Sequence, residues 1–298
     1  MSRGSSFILA GLFALLCLWP AGTSGTPASG PSGTLTARGT VERIRARVGV
    51  EWLKETVDDF KAGDPDAAVK GIVVTMFPTY EILEAAAASG HNFIICHEPA
   101  FYDHFDRAEE LAGAGDKVLA GKKDFIARNG LVIWRFHDHW HLRKPDGILQ
   151  GMVRVLGWDE FRDPAVQELF RIPETSLKDL ATELKRRFGA GHVRVIGDPG
   201  LAVKTVAFLP GAPASIEQMR TLGRSEVDAV ITGETREWET LEYARDAAAE
   251  GNPKALIVLG HVPSEEAGME ECARWLRTFI GEVPVVHRPS GEPFWILK

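Results

Sequence analysis

Cysteine is scarce in this sequence: there are three in 298 residues, and none forms a C-x-x-C pair. A thiolate zinc site and a dithiol redox motif are therefore not expected. Positive charge is also in short supply. The formal net charge is −7 and the pI about 5.8, and the one notable basic cluster, Lys185-Arg186-Arg187, reads as the end of an amphipathic helix. Surfaces that gather nucleic acid or anionic lipid need clustered Lys and Arg, so neither partner is expected. The apolar run near the N-terminus, "FILAGLFALLCLW", is about a dozen residues, short of the ~20 a membrane span needs. It follows Arg3 and precedes the small-residue stretch "PAGTSGTPASGPSG". That order predicts a signal peptide and spacer over residues 1–30, cut between Ala21 and Gly30. No twin Arg is present, and Cys17 lacks the small residue before it that lipidation requires. The expectation is an exported protein, periplasmic or extracellular, with no membrane attachment after cleavage. Cys96 and Cys272 would remain, either as one disulfide or as two buried thiols.

What the sequence does have is a regular alternation of helical and strand patterns from Thr40 onward. "VERIRARV" reads as a helix, "GIVVTMF" as a strand, "TYEILEAAAAS" as a helix closed by Gly90, and "NFIIC" as a strand. A helical stretch "AEELAGAGDKVLAGKKDFIARN", a strand "LVIWRFHDHWH" and a helix "GILQGMVRVLG" follow, and the same grammar repeats to the C-terminus. Such alternation predicts α/β architecture. Two α/β lobes are expected, 31–158 and 159–298, meeting near "GWDEFRDPAVQ", where apolar periodicity lapses.

Five of the nine histidines, His97, His104, His137, His139 and His141, fall between residues 97 and 141. On a strand, the three in "HDHWH" would share one face, which suits a metal but also a solvated edge. His97 and Glu98 follow the buried-strand pattern "NFIIC", at the end where open α/β folds place ligands. A second strand pattern, "ALIVLG", ends at His261, and a helix is predicted to begin at Ser264 as its N-cap. Glu265 extends that helix's apolar stripe Met269, Cys272, Leu276. A carboxylate there either faces a cation or stays partly exposed near the helix dipole.

The segments "GIVVTMFPTYEILEAAAASGHNFIICHEPAF", "WHLRKPDGILQGMVRVLGW", "DAVITGETREWETLEYARDA" and "LGHVPSEEAGMEECARWL" resemble the Nif-three-like proteins, often labelled GTP cyclohydrolase 1 type 2 homologues. The resemblance spans roughly residues 40 to 298. It implies two α/β lobes with mixed sheets, a pair of divalent metals held between them, and homo-oligomeric rings; mixed nitrogen and oxygen ligands suit Zn, Mn or Fe. Carried over residue by residue, it implies the ligands His97, Glu98, His141, His261 and Glu265. Two positions depart from the family pattern: Glu98 stands for a second histidine, and His141 for an aspartate. The charge of the set is conserved by the double swap. With a one-turn gap, Asp146 would take the place of His141, and His137, Asp138 and His139 are further ligands or supporting groups. In "TGETREWE", Trp238 stands where the family often has a histidine, with Glu234, Glu237 and Glu239 around it.

These expectations describe an exported dinuclear metal protein, acting as a hydrolase of an unidentified small substrate or only binding and delivering metal. Export argues against a cytosolic nucleoside triphosphate as that substrate. A metallo-β-lactamase-like reading of "HDHWH" fits less well, because its Asp lies between the first two histidines and the flanking strand order differs.

Overall fold

A computed structural model describes residues 34–297. The segment read as a signal peptide and spacer lies outside the described residues. The first helix, α1 (Ala37–Arg47), is capped by Thr36, whose hydroxyl accepts from Gly39 N. Four strands follow: β1 (Phe60–Ala62), β2 (Ile72–Thr75), β3 (Phe93–Cys96) and β4 (Val132–Arg135). Between them run α2 (Tyr80–Ala88), α3 (Glu109–Gly113) and α4 (Lys117–Arg128). One turn of helix, α5 (Asp138–Leu142), leads to α6 (Gly147–Leu156). Next come β5 (Leu169–Ser176), α7 (Leu177–Phe188), β6 (Arg194–Ile196), β7 (Ala202–Leu209) and α8 (Ser215–Leu222). The chain closes with β8 (Ala229–Thr232), α9 (Glu242–Ala249), β9 (Ala255–Val258), α10 (His261–Leu276) and β10 (Val285–His287).

Both sheets are mixed, as expected. The first is ordered β1-β4-β3-β2-β10 and is parallel except for β1 at its edge. The second is ordered β5-β7-β8-β9-β6, with three parallel central strands and antiparallel edges. Strands β2, β3 and β4 are buried on both faces, which is why they read as continuous apolar runs. Helices α1, α6 and α10 cover one face of the first sheet through Ile44, Ile148 and Met269, and α2 and α4 cover the other. From α6, Leu149, Met152 and Leu156 face the second sheet, so this helix packs against both.

The approach of α6 to α10 is closer than side chains allow. A Cβ on Gly151 would collide with the Ala267 carbonyl, and one on Gly268 with the Ile148 backbone. Because α10 begins at His261, this contact fixes where the helix's N-terminal residues point. Gly268→Ala is expected to lower the unfolding free energy by about 1–3 kcal/mol through overpacking. Urea unfolding would show it, and a shift no larger than ~0.5 kcal/mol would mean the contact is looser than described.

Several local expectations are corrected. The alternation in "HDHWH" is not a strand: β4 stops at Arg135, and His137 stands at the N-terminus of α5. The cause is a distant residue. The Asp58 carboxylate accepts from the backbone N–H groups of His137, Asp138 and His139 at 2.6, 2.9 and 2.9 Å, satisfying donors that a helix start leaves open. Helix α10 begins at His261, three residues before Ser264, which lies in its first turn with its hydroxyl bonded to the His261 carbonyl at 2.8 Å. The helical stretch after residue 107 is split, with Gly115 at φ +68° between α3 and α4. Cys96 and Cys272 are both free and buried, so the thiol alternative is the one found.

Candidate metal centre

Three C-terminal strand ends supply the centre: β3 leads to His97 and Glu98, β4 to His137 and His141, and β9 to His261 and Glu265. The helical turn of α5 puts His137 and His141 on one face four residues apart, while His139 points away. The ring of His139 is fully buried, bonded through Nδ1 to Asp58 at 2.7 Å and through Nε2 to Leu53 N at 2.9 Å. It also stacks on Trp52 at 3.6 Å. Both nitrogens of His139 are used in packing, and it has no capacity left for a ligand.

The other four imidazoles share one arrangement. His97 Nδ1 lies 3.2 Å from the Phe136 carbonyl, His137 Nδ1 2.9 Å from Asp138, His141 Nδ1 2.9 Å from Asp146, and His261 Nδ1 2.7 Å from Glu234. Each acceptor fixes a ring with Nδ1 as donor and Nε2 turned inward, which is how metal-ligating histidines are held. Both oxygens of Asp146 are engaged, since the second caps α6 by accepting from Leu149 N at 2.9 Å. It orients His141.

Around these nitrogens sit two buried carboxylates. Glu265 approaches His261 Nε2 at 3.2 Å, His97 Nε2 at 3.7 Å and His141 Nε2 at 3.9 Å. Gly211, at φ +67°, leaves the space its carboxylate fills. Glu98 turns Oε1 to His261 Nε2 at 3.2 Å and gives Oε2 to the fully buried guanidinium of Arg135, also at 3.2 Å. Arg135 donates besides to the carbonyls of His97 and His104. Two triads, His97–His137–His141 and His97–Glu98–Glu265, each bring ligand atoms within 4.8 Å of one another. They share His97.

His97 Nε2 is buried without any hydrogen-bond partner, and Glu265 Oε2, buried beside it, has His261 Nε2 at 3.2 Å but no well-aligned hydrogen bond. Orphaned polar atoms at such depth are costly, and a cation between them satisfies both. The donor set of imidazole nitrogen and carboxylate oxygen fits divalent Zn, Mn or Fe. The residues therefore fit the metals that the sequence pattern implied.

Charge in the metal-free centre is uneven. Burial, with His137 and His141 nearby, holds His97 well below the ordinary imidazole value. Burial also opposes protonation of His141 and His261, but their carboxylate partners outweigh it: Asp146 with Glu265 and Glu98 raises His141 to about 9, and Glu234, Glu265 and Glu98 push His261 to about 12. Burial would raise the Glu98 carboxyl, yet His261, His137 and Arg135 hold it at about 2. At neutral pH both raised imidazoles are protonated, and each must lose its proton to ligate. Metal binding is thus expected to release protons from His141 and His261 and to tighten as pH rises toward 9. Calorimetry in buffers of different ionisation enthalpy reads the release directly. Binding without proton release would contradict the assignment of these two rings.

Three residues give no sign in the sequence of their part here: Arg135 sits inside a strand pattern, Asp58 in an unremarkable loop, and Glu234 in "TGETREWE", where Trp238 stands in place of the family's histidine. Glu237 and Glu239 turn to surface arginines, Arg194 and Arg236, and Trp238 is exposed. His104 lines a cleft that opens beside Glu98 and His261.

A family model described as Duf34/NIF3 (NGG1p interacting factor 3) matches residues 57–289. A curated Clostridium acetobutylicum relative named GTP cyclohydrolase 1 type 2 homolog is 27% identical over 197 residues, covering 61% of this chain and 70% of its own length. A Streptomyces coelicolor protein of the same name is 24% identical over 234 residues, covering 72% and 77%. Among solved structures, a Bacillus cereus protein related to NIF3 superposes with a TM-score of 0.70 at 14% identity, covering 89% of this chain and all of that one. A Staphylococcus aureus hypothetical protein gives 0.70 at 16% with the same coverage. At these identities the structures speak to fold alone.

Proposed function

The chain belongs to the Duf34/NIF3 family, and on that premise we propose that it is an exported protein that binds two divalent ions and hydrolyses a small substrate. The observation that carries the proposal is the convergence of four Nε2 atoms and two buried carboxylates, each imidazole held from behind by its own acceptor. His97, Glu98, His141, His261 and Glu265 would hold the ions, with His137 as a further ligand and Glu265, which faces three of the rings, as the bridge. When bound, such ions polarise a carbonyl or phosphoryl oxygen and acidify water. The protein's own groups supply the rest. Arg135 fixes Glu98, Asp146 fixes His141, and Glu234, whose side chain is 57% exposed at the cleft, is the carboxylate placed to accept a proton there.

A non-catalytic metal-binding or delivery role is the second reading. The cleft weighs against it: a cavity of about 1050 Å³ reaches Glu98 and His261, giving a small molecule access that a storage site does not need. Elemental analysis of the purified chain after reloading is expected to find two ions per chain, and less than one would defeat the proposal. Export predicts a native N-terminus between residues 22 and 31, whereas full-length chain recovered from the cytosol would rule export out. Assembly into homo-oligomers, implied by the family resemblance, is part of the same proposal, and light scattering that finds only monomer would remove it.

A further inference from the structure

Resting on the reading of the centre as a hydrolytic metal site, we propose that the adjoining cleft binds a flat aromatic or heterocyclic substrate bearing a cationic or N–H-donating group, and disfavours phosphate chains. The walls supply the flat surfaces. Phe77 packs its edge against the His261 ring at 5.6 Å, and Tyr80 and Tyr102 are exposed along the same cleft. The backbone of Tyr102 stands at φ +68°, a conformation uncommon for a bulky residue. Aromatic faces flanking a cavity favour a planar ligand and, where charge is present, a cation.

The charges point the same way. Beyond Glu98 and Glu234, the cleft is lined by Glu81, Asp103 and Glu292. Among the described residues, one lysine and no arginine face it: Lys122, which is buried, donates to the Ala100 carbonyl at 2.6 Å and lies 5.0 Å over the Tyr102 ring. Two helix starts border the cleft: that of α10, where the Glu265 carboxylate already lies 3.2 Å from His261 Nε2, and that of α2. The α2 start carries none of the metal ligands. It is satisfied internally, because Thr79 accepts from Ile82 N at 3.3 Å and Glu81 brings a negative charge to the first turn. Glu292 completes the pattern. Its Oε2 is shielded from solvent with no partner, and a donor on a bound ligand would satisfy it. A phosphate chain leading away from the metals would meet carboxylates with no free lysine or arginine among the described residues to receive it, His104 being the one imidazole there beyond the metal ligands.

The test is a charge ladder on one ring: phenylalaninamide (cation), N-acetylphenylalaninamide (neutral) and N-acetylphenylalanine (anion), titrated by calorimetry into the metal-loaded chain and into chelator-stripped chain. Affinity is expected to fall in that order in the stripped chain, where no ion attracts the carboxylate, by about tenfold per unit of charge, and the loaded chain should keep the cation ahead of the neutral amide only away from the ions. Glu292→Gln should narrow the cation-to-anion ratio about threefold or more with ion content unchanged, and Glu81→Gln, at an exposed helix start, is the second variant should the first not fold. An anion that binds stripped chain as tightly as the cation, or a cation that fails to bind at millimolar concentration, overturns the proposal. Elemental analysis of the same samples keeps its failure separate from failure of the metal reading, since the ladder can hold on chain that takes up no ions.

Discussion

Glu265→Ala is expected to remove the second ion and, with it, at least about 10³-fold of any chelator-sensitive hydrolysis. Glu265 is 2% exposed and faces the Nε2 atoms of His97, His141 and His261 within 3.9 Å. No other carboxylate among the described residues lies within 4 Å of all three, so alanine removes the anion that stands between these rings. Two ions placed ~3.5–4 Å apart repel strongly unless a negative ligand lies between them. Glu98 cannot substitute, because its Oε2 is committed to Arg135. The measurement is ion content beside turnover on a panel of small phosphoesters, amides and cyclic substrates, with and without chelator. Turnover that survives both chelation and Glu265→Ala would place the chemistry elsewhere.

Glu98→His, the change that restores the family pattern at this position, is expected to destabilise the fold by about 3–5 kcal/mol. The reason lies behind the ligand. Arg135 is completely buried and Glu98 is its carboxylate partner; with an imidazole at 98 the guanidinium keeps two backbone carbonyls but loses its counter-charge. Charge balance among the ligands alone suggests that His141→Asp rescues Glu98→His, but the carboxylate it introduces would lie on the metal side of the centre and leave Arg135 unpaired. Arg135→Met is the better rescue. Replacing both members of a buried pair by groups that need no counter-charge is often nearly neutral, so Glu98→His with Arg135→Met should recover much of the loss. Urea unfolding of the four species decides it. Simple additivity would mean that Arg135 and Glu98 are not energetically coupled.

Much of this was open to sequence reading, and the reasons differ by element. The buried parallel strands announce themselves as unbroken apolar runs, and α6 and α7 by their periodicity and by Asp146 and Ser176 as caps. His97, Glu98, His261 and Glu265 stand just past strand patterns, where α/β folds gather ligands. The short strands β1 and β10 were not legible, because three residues carry no period and their pairing is set by neighbours far along the chain. Nor was the helical turn at "HDHWH". An alternating pattern normally means a strand, and only Asp58, some 80 residues away, converts it into a helix start that joins His137 with His141 and removes His139. The buried Arg135–Glu98 pair was hidden for a similar reason: a single arginine at the end of an apolar run gives no sign of its partner.

The central claim is that these strand ends form one dinuclear metal centre, and anomalous diffraction from crystals of manganese- or zinc-loaded chain tests it most directly. Two peaks are expected about 3.5–4 Å apart, ligated through the Nε2 atoms of His97, His141 and His261 and the carboxylates of Glu98 and Glu265, with His137 Nε2 completing one of them. No peak among these residues, or a single ion held by Asp146 in place of His141, would contradict the account.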